Sequence, residues 1–376
     1  MRIAMIAHHV APIAPPFSGG VESVTWTLAA WLANRGHEVD LYGPAGSAIP
    51  GVRIHELDLR APISNGARQD ISMPPDRFMD AHYAYQKLML ALSTSRDRYQ
   101  VIHSHSLHYL PVAMCQLVAT PMILTLHCPP TPWLESALRL ARRRWPVLVA
   151  VSNATRNAWA PTAEVRTIIG NGVELAGWAA GPGGDGVAWT GRIVPEKAPH
   201  LAIRAARLSG RMIRLAGPIM DRRYWAEEVE PLLGPGCEYL GHLGQEALCT
   251  MVSHSAVQVV SSVWDEPFGL VAAEAMACGT PVAAFARGGL TELIAGRGGV
   301  LADREDVEAM ARAIDAAACL PRDDVRAYAE ETVSIDAMGE AHERLYHQLR
   351  HRLERSSRRR DHTRDGDEPP RAASVR

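Results

Sequence analysis

Trp264-Asp-Glu-Pro-Phe-Gly-Leu-Val-Ala-Ala-Glu-Ala-Met-Ala-Cys-Gly-Thr-Pro-Val-Ala-Ala-Phe285 follows the apolar strand Ala256–Val260 and reads as a helix leading into a second strand. Leu270–Ala277 carries the helix. Pro267 and Gly269 suit its first turn, where a proline's missing N–H costs nothing. Gly279 and Pro281 close it, and Val282–Phe285 is the next strand. Strand, helix and strand in this order are the unit of a parallel α/β fold. The unit recurs outward in both directions. Upstream lie the strands Val187–Thr190, Met212–Ala216 and Tyr239–Leu240, with a helix over Pro199–Leu208. Near the start, Arg2–Ala7 is strand-like and Gly19-Gly20 breaks the loop after it. Val21–Arg35 repeats Val24, Leu28, Trp31 and Leu32 at helical spacing, Gly36 ends it, and Glu38–Tyr42 resumes as a strand. Gln100–His103, Met122–Thr125 and Leu148–Val151 continue the first series.

The fold class is therefore α/β, with two similar parallel-sheet domains. Ala179-Ala-Gly-Pro-Gly-Gly-Asp-Gly186 is the richest Gly/Pro stretch and marks the linker. The expected division is 1–172, 173–335, a helix over 336–354 packing back on the first domain, and a disordered tail over 355–376, where apolar residues almost vanish. Ala61–Asp80 reads as a long polar loop before a helix over Tyr83–Leu92.

The 376 residues are 47% hydrophobic and 21% charged, with 39 basic against 41 acidic side chains and a formal net charge of −2. That balance argues against a general nucleic-acid binder. No run reaches the ~18 apolar residues of a membrane helix, and Met1–Ala7 followed by His8-His9 reads as a buried strand rather than a signal peptide. Arg139–Arg144 is the one basic stretch that could touch a membrane, and no such contact is expected. The six cysteines sit in apolar stretches without a C-x-x-C pair, as core thiols of a cytoplasmic protein do.

The residues also carry chemistry. Glu266 stands at the helix mouth and Glu274 eight residues on. Continuous helix geometry would place them roughly 12 Å and about 80° apart, close to the length of a sugar–diphosphate–ribose unit. Between them a helix N-terminus offers free N–H groups and a positive dipole end to a phosphate. Glu274 is flanked by Leu270, Val271, Ala273, Ala275 and Met276, and a buried Glu needs a partner that ribose hydroxyls could supply. Only Lys87 and Lys197 are lysines among the 39 basic residues. A lysine kept beside Arg192 in Gly191-Arg-Ile-Val-Pro-Glu-Lys197 gives a planar fork and a point charge, the pair a diphosphate wants. His103-Ser-His105-Ser-Leu-His108 lacks a third metal ligand nearby. The D-x-D spacing occurs only in Asp365-Gly-Asp367. No metal is expected. The first strand leads to Ala11-Pro-Ile-Ala-Pro-Pro16 instead of G-x-G-x-x-G, which disfavours a nicotinamide oxidoreductase.

Glu266-Pro-Phe-Gly-Leu-Val-Ala-Ala-Glu274-Ala-Met-Ala-Cys-Gly-Thr-Pro-Val282 resembles the E-x7-E motif of the family-4 retaining glycosyltransferases, which have the GT-B fold of two Rossmann-like domains facing a cleft. Ser18-Gly-Gly-Val-Glu22, Val101-Ile-His-Ser-His105, Thr125-Leu-His127, Val151-Ser-Asn153, Asn171-Gly-Val173, Thr190–Lys197 and Leu215-Ala-Gly217 agree in order and spacing, over about residues 1–350. The resemblance implies an acceptor domain followed by a donor domain, and a nucleotide-sugar as co-substrate with no separate cofactor. It implies that Arg192 and Lys197 neutralise the departing diphosphate and that Gly19 and Gly20 let backbone approach it. His127 would lie near the donor sugar. Glu266, with the N–H groups of Phe268, Gly269 and Leu270, would hold the sugar hydroxyls, and Glu274 the ribose. Glu22 would contact the acceptor or cap its helix. The chain departs from the family at Ala198-Pro199, where glycine often follows the lysine, and at Cys128-Pro-Pro130 after His127.

The implied reaction is front-face transfer of a hexose, most commonly from UDP-glucose or UDP-N-acetylglucosamine, to a hydroxyl of a small-molecule acceptor, giving an α-glycoside. Two carboxylates that far apart cannot share one anomeric carbon as the pair of a retaining hydrolase does at about 5 Å. Transfer of mannose from GDP-mannose to a lipid or polysaccharide, a sugar-nucleotide epimerase, and a catalytically silent sugar-nucleotide-binding protein are the alternatives. The epimerase would need acid and base groups that the sequence does not offer.

Overall fold

The structure is a computed structural model that describes residues 1–95, 98–141, 146–294 and 296–364, with side chains to His351. Its first sheet holds β1 (Arg2–Ile6), β2 (Glu38–Gly43), β3 (Arg53–Glu56), β4 (Val101–Ser104), β5 (Met122–Leu126), β6 (Val147–Ala150) and β7 (Thr167–Ile168), in the order β3-β2-β1-β4-β5-β6-β7. The second holds β8 (Val187–Thr190), β9 (Ile213–Ala216), β10 (Cys237–Tyr239), β11 (Val257–Val260), β12 (Val282–Phe285) and β13 (Gly299–Ala302), in the order β10-β9-β8-β11-β12-β13. Every pairing is parallel, with Ile3 opposite both Val39 and Val101. Helices cover both faces, so the central strands bury both sides and their sequences are unbroken apolar runs.

Each sheet reverses its winding once, between β1 and β4 and between β8 and β11. Ligands of open α/β sheets bind outside the carboxyl ends of the strands at such a reversal. The segments after β1, β4 and β5 and those after β8 and β11 therefore form the two walls of a cleft. Leu270, from the second domain, packs against the core of the first.

The long C-terminal helix Ile335–Arg364 returns to the first domain. Its Met338, Leu345, Tyr346 and Leu349 are buried in that core with Ile3, Val24 and Leu28. Next to it the chain crosses between domains twice, side by side. Val173 donates from its backbone N to Val333 O at 2.8 Å, and Ile335 N donates to Val173 O at 3.0 Å.

Several boundaries differ from the sequence reading. The segment 61–80, read as a loop, contains a short helix Asn65–Arg68, and the helix expected from Tyr83 begins at Asp76 and runs to Thr94. Pro74-Pro75 looks like loop punctuation, yet Pro75 caps that helix, and a proline is tolerated at a helix start. The C-terminal helix continues through Arg364, ten residues past the expected boundary. Glu354–Arg364 contains good helix formers and neither glycine nor proline, so charge alone does not end it. Residues 365–376, with Asp365-Gly-Asp367, and 142–145 of the Arg139–Arg144 stretch lie outside the described residues. Among the described residues no helix is long and apolar enough to cross a membrane. Among the described residues the six cysteines form no disulfide.

Candidate active site

The second-domain wall is built on the loop between β11 and the helix Leu270–Ala277. Glu266 is buried there and accepts hydrogen bonds from Ser262 Oγ at 2.5 Å and from Lys197 Nζ. Lys197 closes the turn Pro195–Lys197 after β8, and its ammonium also lies 5.2 Å from the centre of the Trp264 ring. The turn is held from behind: Ser261 Oγ donates to the carbonyls of Lys197 and Ala198 at 3.0 and 2.9 Å. A buried charge needs a partner of opposite sign and further hydrogen bonds, and this cluster supplies both.

The helix spans Leu270–Ala277 as the sequence reads, but Pro267 and Gly269 do not belong to its first turn. Gly269 is its N-cap, with φ of 103°, and Leu270 its first residue, so Pro267 lies outside and Glu266 four residues ahead. Helical rise therefore does not measure the separation of Glu266 from Glu274. Glycine is required at 269 for two reasons: the left-handed backbone disfavours a Cβ, and a Cβ would stand 2.5 Å from Leu290 Cδ2. The first N–H groups of this helix have no intrahelical acceptor. Phe268 is buried against Gly170 of the first domain.

Glu274 is the fifth residue of the helix, about one turn from its start. Among the described residues it has no hydrogen-bond or ion-pair partner, and burial pushes its carboxyl up to about 8. Burial thus favours the protonated carboxyl, which can both donate and accept.

Arg192 is half exposed and holds Glu196 only loosely, at 3.7 Å. Across the cleft it faces Glu22, which is buried in the first turn of the helix Gly20–Asn34. Burial raises the Glu22 carboxyl, while its own backbone N–H and the Arg192 charge act against that rise. Gly19 is extended and precedes this helix. Gly20 faces Leu270, whose Cδ1 would lie 2.8 Å from a Cβ there. The glycine pair thus allows the two domains to touch at the cleft.

His127, after β5, is not bonded to this group. Its Nε2 shares a 2.9 Å hydrogen bond with His105 Nδ1. Burial, with His342 and His8 nearby, brings His127 down to about 3, so it is a neutral imidazole. His103 is held by Thr125 Oγ1 at 2.7 Å and Tyr346 OH at 2.6 Å. These partners account for the His-x-His run, and no group of three or more His, Cys, Asp or Glu among the described residues is arranged to hold a metal ion.

Sequence reasoning missed Ser262 and the segment Arg287–Glu292. Gly288 and Gly289 lie against the Glu266–Pro267 backbone, where a Cβ would stand 2.3 Å from Glu266 O or 2.5 Å from Pro267 O. Gly289 N donates to Glu266 O at 2.6 Å and fixes the loop. Glu292 reaches the first domain and accepts from Asn153 N, Asn153 Nδ2 and Ala154 N at 2.9, 2.8 and 2.7 Å. The doublet Gly288-Gly289 after a strand, with an acid close behind, repeats the pattern of Gly19-Gly20 and Glu22 and was the available signal.

Comparison with known proteins gives this arrangement its relatives. Residues 18–176 match the family model described as Glycosyltransferase Family 4, and residues 185–332 the one described as Glycosyl transferases group 1. A D-inositol 3-phosphate glycosyltransferase of Acidothermus cellulolyticus is 26% identical over 83% of this chain and 82% of its own. Sucrose-phosphate synthase of Thermosynechococcus elongatus superposes with a TM-score of 0.75 at 22% identity, covering 93% of this chain and 98% of that one. Anabaena HepE in complex with UDP and glucose superposes with a TM-score of 0.68 at 20% identity, covering 90% and 97%. Two glycosyltransferase family models on successive stretches of the chain, 18–176 and 185–332, with two parallel sheets facing one cleft, make this protein a glycosyltransferase of the GT-B fold.

Proposed function

We propose that the chain transfers a hexose with retention of configuration from a nucleotide-sugar, UDP-glucose or UDP-N-acetylglucosamine, to a hydroxyl of a small-molecule acceptor, without a metal ion. The observation that carries this reading is the Lys197–Glu266–Ser262 knot at the mouth of a helix that holds Glu274, its carboxyl raised by burial, about one turn further in. Lys197 and Arg192 supply the charge that a leaving diphosphate needs, in the place a metal would otherwise take. Glu266 and the first N–H groups of the helix hold the sugar hydroxyls, and Glu274 meets the ribose. The bond from the anomeric carbon to the β-phosphate oxygen breaks, and the acceptor oxygen bonds to that carbon on the same face. The acceptor proton passes to the departing phosphate oxygen. His127 serves this centre as a neutral hydrogen-bonding group, since its pKa excludes a cation at neutral pH. The bound UDP and glucose of the Anabaena neighbour favour a uridine nucleotide over the alternatives.

Thermal unfolding against UDP, GDP, ADP and CDP, free and as sugar conjugates, tests it. A ligand at a hundredfold excess over its dissociation constant adds about 2.7 kcal/mol. UDP and one UDP-sugar are expected to raise the melting temperature, and Lys197→Ala and Glu274→Ala to abolish the rise. A rise with GDP alone would replace the donor, and none with any nucleotide would remove the assignment.

A further inference from the structure

The first-domain wall carries a surface that none of the roles above uses. His8 and His9 follow β1, and His108 and Tyr109 follow β4, all at the carboxyl ends of the strands beside His127. His108 is stacked between Tyr85 and Tyr109, with ring centres 4.7 and 4.8 Å away. Tyr109 lies 5.5 Å from Trp133, and Phe78 lies 5.4 Å from the same ring. The wall ends at Trp133, which is 57% exposed. A tryptophan so open at the end of a packed aromatic row has a ring face left to give.

The polar atoms of the same wall are unspent. His8 Nδ1, His9 Nδ1 and His108 Nε2 are buried without a hydrogen-bond partner, as is His105 Nε2 just behind them. Buried nitrogens without partners are rare enough to need a reason. Their charge state is equally plain. Burial brings His108 down to about 3 and His8 to about 4, and the titratable groups whose charge reaches His108 are His9, His82 and His8. Among the described residues no Lys or Arg makes a ring contact or hydrogen bond with these side chains. Lys197 is on the opposite wall, Lys87 pairs with Asp58 at 2.9 Å, and Arg77, next to Phe78 in sequence, is exposed. A phosphate group brought against these rings would lose its water without a cation in contact with them, since Arg68 is paired with Asp76.

We propose that His8, His9, Phe78, His108, Tyr109 and Trp133 form the acceptor subsite, and that it takes an uncharged, hydroxylated ring compound and rejects the phosphorylated form of the same compound. The ring lies against the aromatic row, as sugar and aryl rings both can, and its hydroxyls meet the part-exposed rims of the His8 and His9 imidazoles. This sets the chain apart from relatives named for a phosphorylated acceptor, and it rests on the transferase reading above.

The test is paired. Binding to the full chain is measured by saturation-transfer NMR for methyl α-glucoside against glucose 6-phosphate, for myo-inositol against its 3-phosphate, and for 4-methylumbelliferone against its phosphate. UDP is present throughout, and its own signal reports the donor site. In each pair that binds, the uncharged member is expected to bind at least tenfold more tightly. Trp133→Ala, at an exposed position that leaves the fold intact, is expected to weaken it at least fivefold. Binding of the saccharides or of the aryl compound identifies the kind of ring. A phosphorylated member binding as tightly as its partner, binding unaffected by Trp133→Ala, or no binding by any uncharged member while UDP binds would overturn the inference. Absence of UDP binding would instead remove the donor reading, and this proposal with it.

Discussion

Ala198 shows how a single residue keeps the lysine in place. It follows Lys197 directly and holds φ of 45°, the left-handed conformation that glycine adopts freely. The sequence showed only the departure from glycine; the structure shows that the backbone shape is retained. An alanine there costs roughly 1–2 kcal/mol, against about 0.8 kcal/mol gained by its buried methyl. Ala198→Gly is thus expected to change unfolding free energy by no more than about 1 kcal/mol, whereas the β-branched Ala198→Val lowers it well beyond that and weakens nucleotide binding. Denaturant titration with a UDP melting series separates the two. Glu274 allows a second test at this scale. Its folded pKa, about 8, lies above its unfolded value, so its stabilisation is full below about 4.5 and is lost as pH rises toward 8. Without ligand, Glu274→Gln is expected to melt higher than the wild type at pH 8, the gap closing toward pH 5. Equal melting curves at pH 8 would mean that the carboxyl is not destabilised by burial. The pairing of Glu266 with Lys197 joins two residues that motif spacing singles out. Ser262 was not legible in the sequence, since a lone serine four residues before Glu266 marks no motif, and Glu292 was not, since only the tertiary fold brings Asn153 and Ala154 near it.

Among the elements, the helix Asn153–Trp159 illustrates a contact that sequence cannot show. Ser152 caps its first turn from within, and Glu292 closes its N-terminus from the other domain. A carboxylate at a helix N-terminus gains both hydrogen bonds and dipole stabilisation. Glu292→Ala is expected to cost about 1.5–3 kcal/mol, the range for hydrogen bonds to a charged group, and to widen the cleft. Differential calorimetry and small-angle scattering would register both, and an unchanged radius of gyration would mean that other contacts suffice to hold the walls together. The strands divide along similar lines. The interior strands β1, β4, β5, β8, β11 and β12 were readable as apolar runs because helices cover both their faces. β3, β7 and β13 were missed, and all three are sheet edges. Arg53-Ile-His-Glu56 is only partly buried and carries charge at both ends, so no period marks it. An edge strand is specified by the neighbour it pairs with more than by its own pattern.

At the scale of the molecule, the histidines set an acid limit. His8, His108, His127 and His342 have folded values of about 4, 3, 3 and 4, below the ordinary 6.5. The unfolded chain takes up protons from about pH 6.5 downward while the folded chain does not, so stability falls as pH drops from there toward 3. Melting temperatures between pH 8 and pH 4 are expected to decline steeply below 6.5, and a flat profile from 7 to 5 would contradict the neutral cluster. His342 belongs to the C-terminal helix, His103 to the first sheet, and His105 and His127 to the segments just after its strands, so acid strikes where the chain's end is fastened to its beginning. That fastening has a mechanical consequence. Because the chain passes between the domains at Val173 and again at Val333–Ile335, and the two passages are bonded to each other, the halves are joined like a door on two pins. One pin would let them swivel and twist; two adjacent pins leave a single axis, so the walls carrying Glu22 and Arg192 can swing apart and return to the same register at every turnover.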